Sequence, residues 1–154
     1  MPEPTSRELK RRRGDKRIPG GAIDEPVRAR CDEPAPPELL RAIEQFNAGE
    51  YFEQHETIET LWRDTRAPVR DLYHGILQIG VGLHHLRRGN FHGAGVLLEE
   101  GIERLGPFAP SCQRIDVDSL IRDATRARER LLRLGPDAIN AFDWSDAPRV
   151  RLLR

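Results

Sequence analysis

The sequence predicts an all-α fold, a compact bundle of about five helices around a central apolar helix at about 68–88. Three observations carry this. Apolar residues recur at steps of three and four in successive segments, and most of these segments stop at a Gly or Pro. No run alternates with period two for long enough to make a convincing strand. At 154 residues the chain has the size of one domain that buries a sufficient core without staples.

Residues 1–36 contain Pro2, Pro4, Pro19, Pro26, Pro34 and Pro36 with Gly14, Gly20 and Gly21, which reads as a disordered Arg/Pro-rich leader. Order is expected from Pro37, a favourable first-turn residue, so residues 37–154 form the bundle domain with an extended C-terminal tail. The first helix, about 37–47, places Leu39, Leu40, Ile43 and Phe46 on one face, and the "NAG" at 47–49 breaks it. The second spans about 50–64. The third, about 68–88, starts at Pro68 and ends at Gly89. Its residues Leu72, Ile76, Ile79, Leu83 and Leu86 make one stripe, and Tyr73, Leu77, Val81 and His84 make a second beside it. A helix apolar on most of its circumference is one surrounded by others. Gly75, Gly80 and Gly82 each weaken it by about 1 kcal/mol relative to Ala, which points to close helix approach. The fourth helix, about 91–105, closes at Gly106 and Pro107. The fifth, about 117–134, has Asp116 or Asp118 as its cap and Gly135-Pro136 as its stop. The ending "FDWSDAPRVRLLR" reads as extended and lying across the bundle by its aromatics.

An internal repeat of period 40 supports the helical reading. "IEQFNAGEYFEQHETIETLW" (43–62) lies over "LHHLRRGNFHGAGVLLEEGI" (83–102). Ile43 matches Leu83, Phe46 matches Leu86, Gly49 matches Gly89, Tyr51 matches Phe91, Ile58 matches Leu98 and Glu59 matches Glu99. The second copy is loosely tetratricopeptide-like in shape, although that repeat has a period of about 34. Stacked helix pairs of this kind bury a shared core and often bind partners.

Basic and acidic side chains balance at 25 each, so no global charge draws the chain to nucleic acid or acidic lipid. Residues 7–17 are locally basic, with seven Arg or Lys against Glu8 and Asp15. That run reads as a solvated tail, with weak, salt-dependent nucleic-acid contact as its sharper alternative. The start has no apolar core of signal-peptide length, and no later run approaches a membrane span. Cys31 and Cys112 match no metal or redox spacing, and Cys31 falls in the leader. No structural disulfide is therefore expected, and a reducing cytoplasm is the default location.

The stretches "FNAGEYFEQHETIETLW", "LQIGVGLHHLRRGNFHGAGVLLEEGIERL" and "IDVDSL" resemble the bacterial and archaeal domain-of-unknown-function family 309 over about residues 38–134. The H-E-x-x-E-x-x-W block and the later G-N-x-x-G-A block carry the resemblance. It implies an all-helical bundle with a central helix and no assigned activity. The Arg-rich leader lies outside it.

One polar cluster invites chemistry. Phe52, His55, Glu59 and Trp62 fall on one helical stripe, with Glu56 beside it, so acid–base residues share an aromatic seam. A buried carboxylate needs a partner or a proton. His74 and Gln78 on the central helix are candidate partners and binding residues with Trp62; His84, His85 and His92 follow later. Four readings compete, one of them a pocket for a small ligand with Trp62 as its wall. His55 and Glu59 at i and i+4 could hold a divalent metal, completed by His74 or His85. His55, Glu56 and Glu59 could do acid–base catalysis, although no Ser or Cys nucleophile accompanies them and Cys112 sits near a loop. The favoured reading is a buried polar network that fixes the register of the second helix on the third. Arg122, Arg126, Arg130 and Arg133 form a basic stripe on the fifth helix, read as a solvated face with anion or RNA contact as the alternative. The leading expectation is a cytoplasmic helical module that binds a protein or small-molecule partner and can self-associate. The runner-up is a metal-dependent or acid–base hydrolase-like enzyme centred on His55, Glu56 and Glu59. Apart from that metal, no cofactor is expected.

Overall fold

Helices form where the apolar spacing puts them. In the computed structural model, which describes residues 21–154, they are α1 (Pro37–Asn47), α2 (Tyr51–Asp64), α3 (Arg70–Arg87), α4 (Phe91–Leu105) and α5 (Val117–Leu134). Short 3-10 turns at Gly106–Phe108, Pro136–Ala141 and Trp144–Asp146 join or follow them. The all-α expectation holds, with one addition: a small hairpin of β1 (Ser111–Cys112) and β2 (Ile115–Asp116), in which Ser111 pairs with Asp116 and Cys112 with Ile115. Its turn residues Gln113 and Arg114 have φ of 50° and 66°, the left-handed pair that a two-residue hairpin turn demands.

The central helix is α3. Nearly every residue from Arg70 to Leu86 is buried, and the helix packs against α2 on one side and α4 on the other. Its glycines make that approach close. A Cβ on Gly75 would meet Leu105, one on Gly82 would meet Leu98, and one on Gly80 would meet the Gln54 amide. α1 buries Leu39, Ala42, Ile43 and Phe46, whereas Leu40 is exposed and Ala42 takes its expected place on the inner face. Asp116 caps α5 by accepting from the Ser119 amide at 3.0 Å.

The repeat is real at the level of the main chain. Gly49 and Gly89 have φ of 78° and 79°, which only glycine adopts freely. Behind them, Glu50 N–H donates to the Gln45 carbonyl and Asn90 N–H to the His85 carbonyl, both at 2.8 Å. Ile58 and Leu98, matched by the period, are both fully buried.

Two expectations need correction. Residues 21–36 are packed rather than disordered. Ile23 N–H donates to the Arg66 carbonyl at 3.2 Å, and Arg28 donates to the carbonyls of Pro107, Ala109 and Ser111. Cys31 and Cys112 are joined in a disulfide across 81 residues, and Gln113 N–H donates to the Cys31 carbonyl. Composition hid this order because the contacts that supply it are distant in sequence. With the disulfide, the argument for a reducing compartment loses its premise. The basic run at 7–17 lies outside the described residues.

The tail after α5 lies on the bundle, and the 3-10 turn at Trp144–Asp146 interrupts the extended course expected of it. Phe142 and Val150 are buried, and Leu152 bridges antiparallel to Ile115. Asn47 clamps Val150 with two hydrogen bonds of 2.9 Å, donating to its carbonyl and accepting from its amide. Among the described residues no helix is long and apolar enough to cross a membrane.

Candidate functional site

The cluster read from the sequence divides into three parts. On α2, His55 and Glu59 are half-buried, with Nε2 and Oε2 3.0 Å apart. The pair is close but not aligned as a hydrogen bond, and among the described residues the His55 ring nitrogens have no hydrogen-bond partner. The other oxygen of Glu59 accepts from Arg63 at 2.7 Å. His55, Glu59 and Arg63 therefore form a ladder along their own helix. Glu56 is exposed and stands off the seam.

Trp62 and His74 form the second part. Trp62 is buried, its ring 4.4 Å from that of the fully buried His74. The Arg70 guanidinium sits 4.8 Å over the indole. Burial lowers the Arg70 pKa, and neighbouring Asp71 partly offsets that.

Gln78 belongs to the third part and turns away from α2. Its amide donates to Glu100 at 3.0 Å and its oxygen accepts from Arg104 at 2.8 Å, so it ties α3 to α4. Arg104 also reaches Asp71. The expected link from the His55 seam to Gln78 is therefore not made.

The remaining histidines scatter. His84 lies 5.9 Å from the Phe52 ring, His85 is buried with Nδ1 3.1 Å from Asn90 Nδ2, and His92 is exposed. Among the described residues no group of three or more His, Cys, Asp or Glu side chains is placed to hold a metal ion. Neither His74 nor His85 joins His55 and Glu59 in such a set. Cys112 is consumed by its disulfide. Arg122, Arg126, Arg130 and Arg133 are all exposed, and Arg130 pairs with Asp146.

A different site emerges where the Gly49 turn meets the C-terminal tail. A groove of about 520 Å³ is lined by Phe46, Asn47, Tyr51, Arg87, Trp144 and Arg149 with small residues between them. The Arg87 guanidinium lies 4.7 Å over Tyr51 and 5.5 Å over Trp144, and it donates to the Gly49 carbonyl. The tyrosine and indole rings are 6.3 Å apart, and Phe142 packs edge-on against Trp144 at 5.2 Å. Burial raises the Tyr51 pKa, while the positive charges of Arg87 and Arg149 pull it back. Sequence reasoning missed this site. Its one local signal was the aromatic position after the Gly turn; Trp144 and Arg149 arrive from almost a hundred residues away.

Two further hollows are present. One, of about 350 Å³, lies between the N-terminal arm and Tyr73. Burial there pushes the Tyr73 hydroxyl up to about 12 even though it donates to Gln113 at 2.8 Å. The other, of about 470 Å³, is lined by Val27, Asp71, Glu100, Glu103, Arg104 and Phe108.

Comparison with curated proteins and with solved structures gives no match. The family model described as "Domain of unknown function (DUF309)" matches residues 39–97, a stretch shorter than the 38–134 over which the motifs show likeness. That stretch holds most of α1, α2, α3, both Gly turns and the first half of α4, and it is over this segment, from Leu39 to Leu97, that the chain is similar to the family.

Proposed function

We propose that the protein is a binding module and that its ligand surface is the groove between the Gly49 turn and the tail. One observation carries the reading: two arginines and three aromatic rings, drawn from three separate segments, converge on a hollow of about 520 Å³. Small-molecule sites typically occupy about 300–1,000 Å³ and combine apolar walls with a few convergent polar groups. Arg87 and Arg149 make no ion pair among the described residues. Charges left unpaired on a concave wall are available to a ligand. The small molecule is therefore the favoured form of partner.

The second reading is an acid–base or metal-dependent hydrolase-like enzyme centred on His55, Glu56 and Glu59. It rests on the half-buried contact of 3.0 Å between His55 and Glu59. Glu56 faces solvent and Glu59 already holds Arg63, so this site has less free chemistry to offer.

One titration separates them. Pooled metabolites are added to isotopically labelled full-length protein and the amide and indole shifts are followed. The binding reading expects changes centred on Gly49, Tyr51 and the Trp144 indole. Changes centred on His55 and Glu59, with the groove silent, overturn it in favour of the second reading.

A further inference from the structure

Resting on that reading, we infer that the groove takes a small planar anion: an aromatic or heteroaromatic ring that carries a phosphate or carboxylate. The chain as a whole is neutral, yet the groove wall contains two guanidinium groups and no carboxylate. Two acids of the tail stand outside that lining. Asp143 accepts from the Ser145 amide and hydroxyl, and Asp146 pairs with Arg130. A cationic ligand is repelled here. A neutral one would cover two cations and give nothing back for their lost water.

The geometry adds shape to the charge. Arg87 lies against both Tyr51 and Trp144, donates to the Gly49 carbonyl and also hydrogen-bonds the Tyr51 side chain. A guanidinium has five N–H donors in a fixed fork, so donors beyond those two can serve an oxyanion, and a pinned fork loses little freedom on binding. Arg149 brings the second charge from the tail, where the Asn47 clamp fixes its neighbour Val150. Two guanidinium groups on one oxyanion is the arrangement that phosphate and carboxylate recognition favours. The ring has its own surface. Trp144 is 38% exposed although Tyr51, Phe142 and the Arg87 guanidinium pack against it, which leaves part of the indole open beside the cations. Ala147 and Pro148 extend the apolar floor. The volume suits one ring and one oxyanion rather than a length of polymer.

The two tryptophans make the test simple. Trp62 is buried, so quenching by an added ring reports on Trp144, and Trp144→Phe confirms the source. The full chain is titrated at low salt with four probes: a nucleoside monophosphate, its parent nucleoside, inorganic phosphate and a naphthoate. The monophosphate or the naphthoate should quench Trp144 and bind at least about tenfold more tightly than the nucleoside or the phosphate alone. Which of the two wins names the oxyanion. Arg149→Gln, at an exposed position, should weaken binding about tenfold without changing the fold. Arg87→Lys, which keeps charge but loses the planar stack, should also weaken it. If the nucleoside binds as well as its monophosphate, or if neither arginine variant changes affinity, the anion assignment falls while the groove remains a binding site. If neither anionic probe binds, the inference is overturned, and the shift titration above then decides separately whether the groove binds anything.

Discussion

The two Gly turns, forty residues apart, share a backbone and differ in what covers them. Gly49 and Gly89 have nearly identical φ, and the same hydrogen bond closes the turn behind each. At Gly49 a Cβ would lie 3.3 Å from Arg87 Nη2, while at Gly89 nothing stands within 4 Å. After the second turn, Asn90 caps α4 by accepting from the Gly93 amide at 2.9 Å. The matching Glu50 makes no side-chain cap. The first turn is instead roofed by Arg87 and by the tail. The aromatic that follows is buried in the first copy (Tyr51) and only half-buried in the second (Phe91). A repeat can thus fix a main-chain path twice and leave side chains to make one turn a site and the other a plain connection.

The same contrast runs through what holds each helix pair. The first pair is tied down by segments distant in sequence: the arm through Cys31 and Ile23, the tail through Val150. The second pair is held by its own glycines. A Cβ on Gly101 would come within 3.0 Å of the Gly75 carbonyl oxygen, so α3 and α4 meet backbone to backbone.

The largest test of that contrast is reduction of the disulfide. A cross-link over a loop this long contributes about 2–5 kcal/mol. The reduced protein should unfold at lower denaturant. Hydrogen exchange should show α1 and its turn losing protection before α3 and α4 do. Uniform loss across both pairs would break the comparison.

A smaller effect sharpens it. Gly49→Ala and Gly89→Ala carry the same left-handed strain, about 1–2 kcal/mol each. Gly49→Ala must also displace the Arg87 guanidinium by a few tenths of an ångström, which adds up to about 1 kcal/mol if its hydrogen bond to the Gly49 carbonyl is lost. Denaturation midpoints of the two variants give the difference directly. Equal midpoints would mean that Arg87 contributes nothing to the first turn.

The smallest difference lies at the matched glutamates. Glu59 is half-buried between His55 and Arg63, whereas Glu99 is exposed and meets Arg128 alone at 3.2 Å. Glu59→Ala should cost about 1 kcal/mol, with Glu59→Gln milder. Glu99→Ala should stay within about 0.5 kcal/mol. If Glu59→Ala melts like the parent, the ladder on α2 does not support the fold and a chemical role for it gains weight.

Most of the helical frame was legible because its signals are local. Steps of three and four placed α1, α4 and α5, and the glycines announced both turns. Leu40 shows the limit of counting, since its neighbour Ala42 faces the core instead. The packed arm at 21–36 was illegible because proline composition speaks only of local propensity. Its order comes from Cys31, and from Arg28 reaching carbonyls some eighty residues on. The hairpin was hidden because Gln113 and Arg114 occupy turn positions where Asn or Gly would have signalled it. The candidate site fared worst. The His55 stripe was visible as a pattern on one helix, but the groove exists only between helix and tail, and no periodicity in either segment records the other.

The Asn47–Val150 clamp has a bearing on how the molecule comes into being. Helix pairs made of neighbours can assemble as the chain emerges from the ribosome, amino end first. The groove cannot, because one wall is residues 46–51 and the other residues 144–149. Throughout synthesis of the intervening segment, Tyr51 and Arg87 stand without their roof, a turn with an uncovered aromatic. The groove therefore closes late and all at once, when Val150 docks against Asn47. A nascent chain stalled before Trp144 would carry the whole segment from Leu39 to Leu97 and only one wall of the groove.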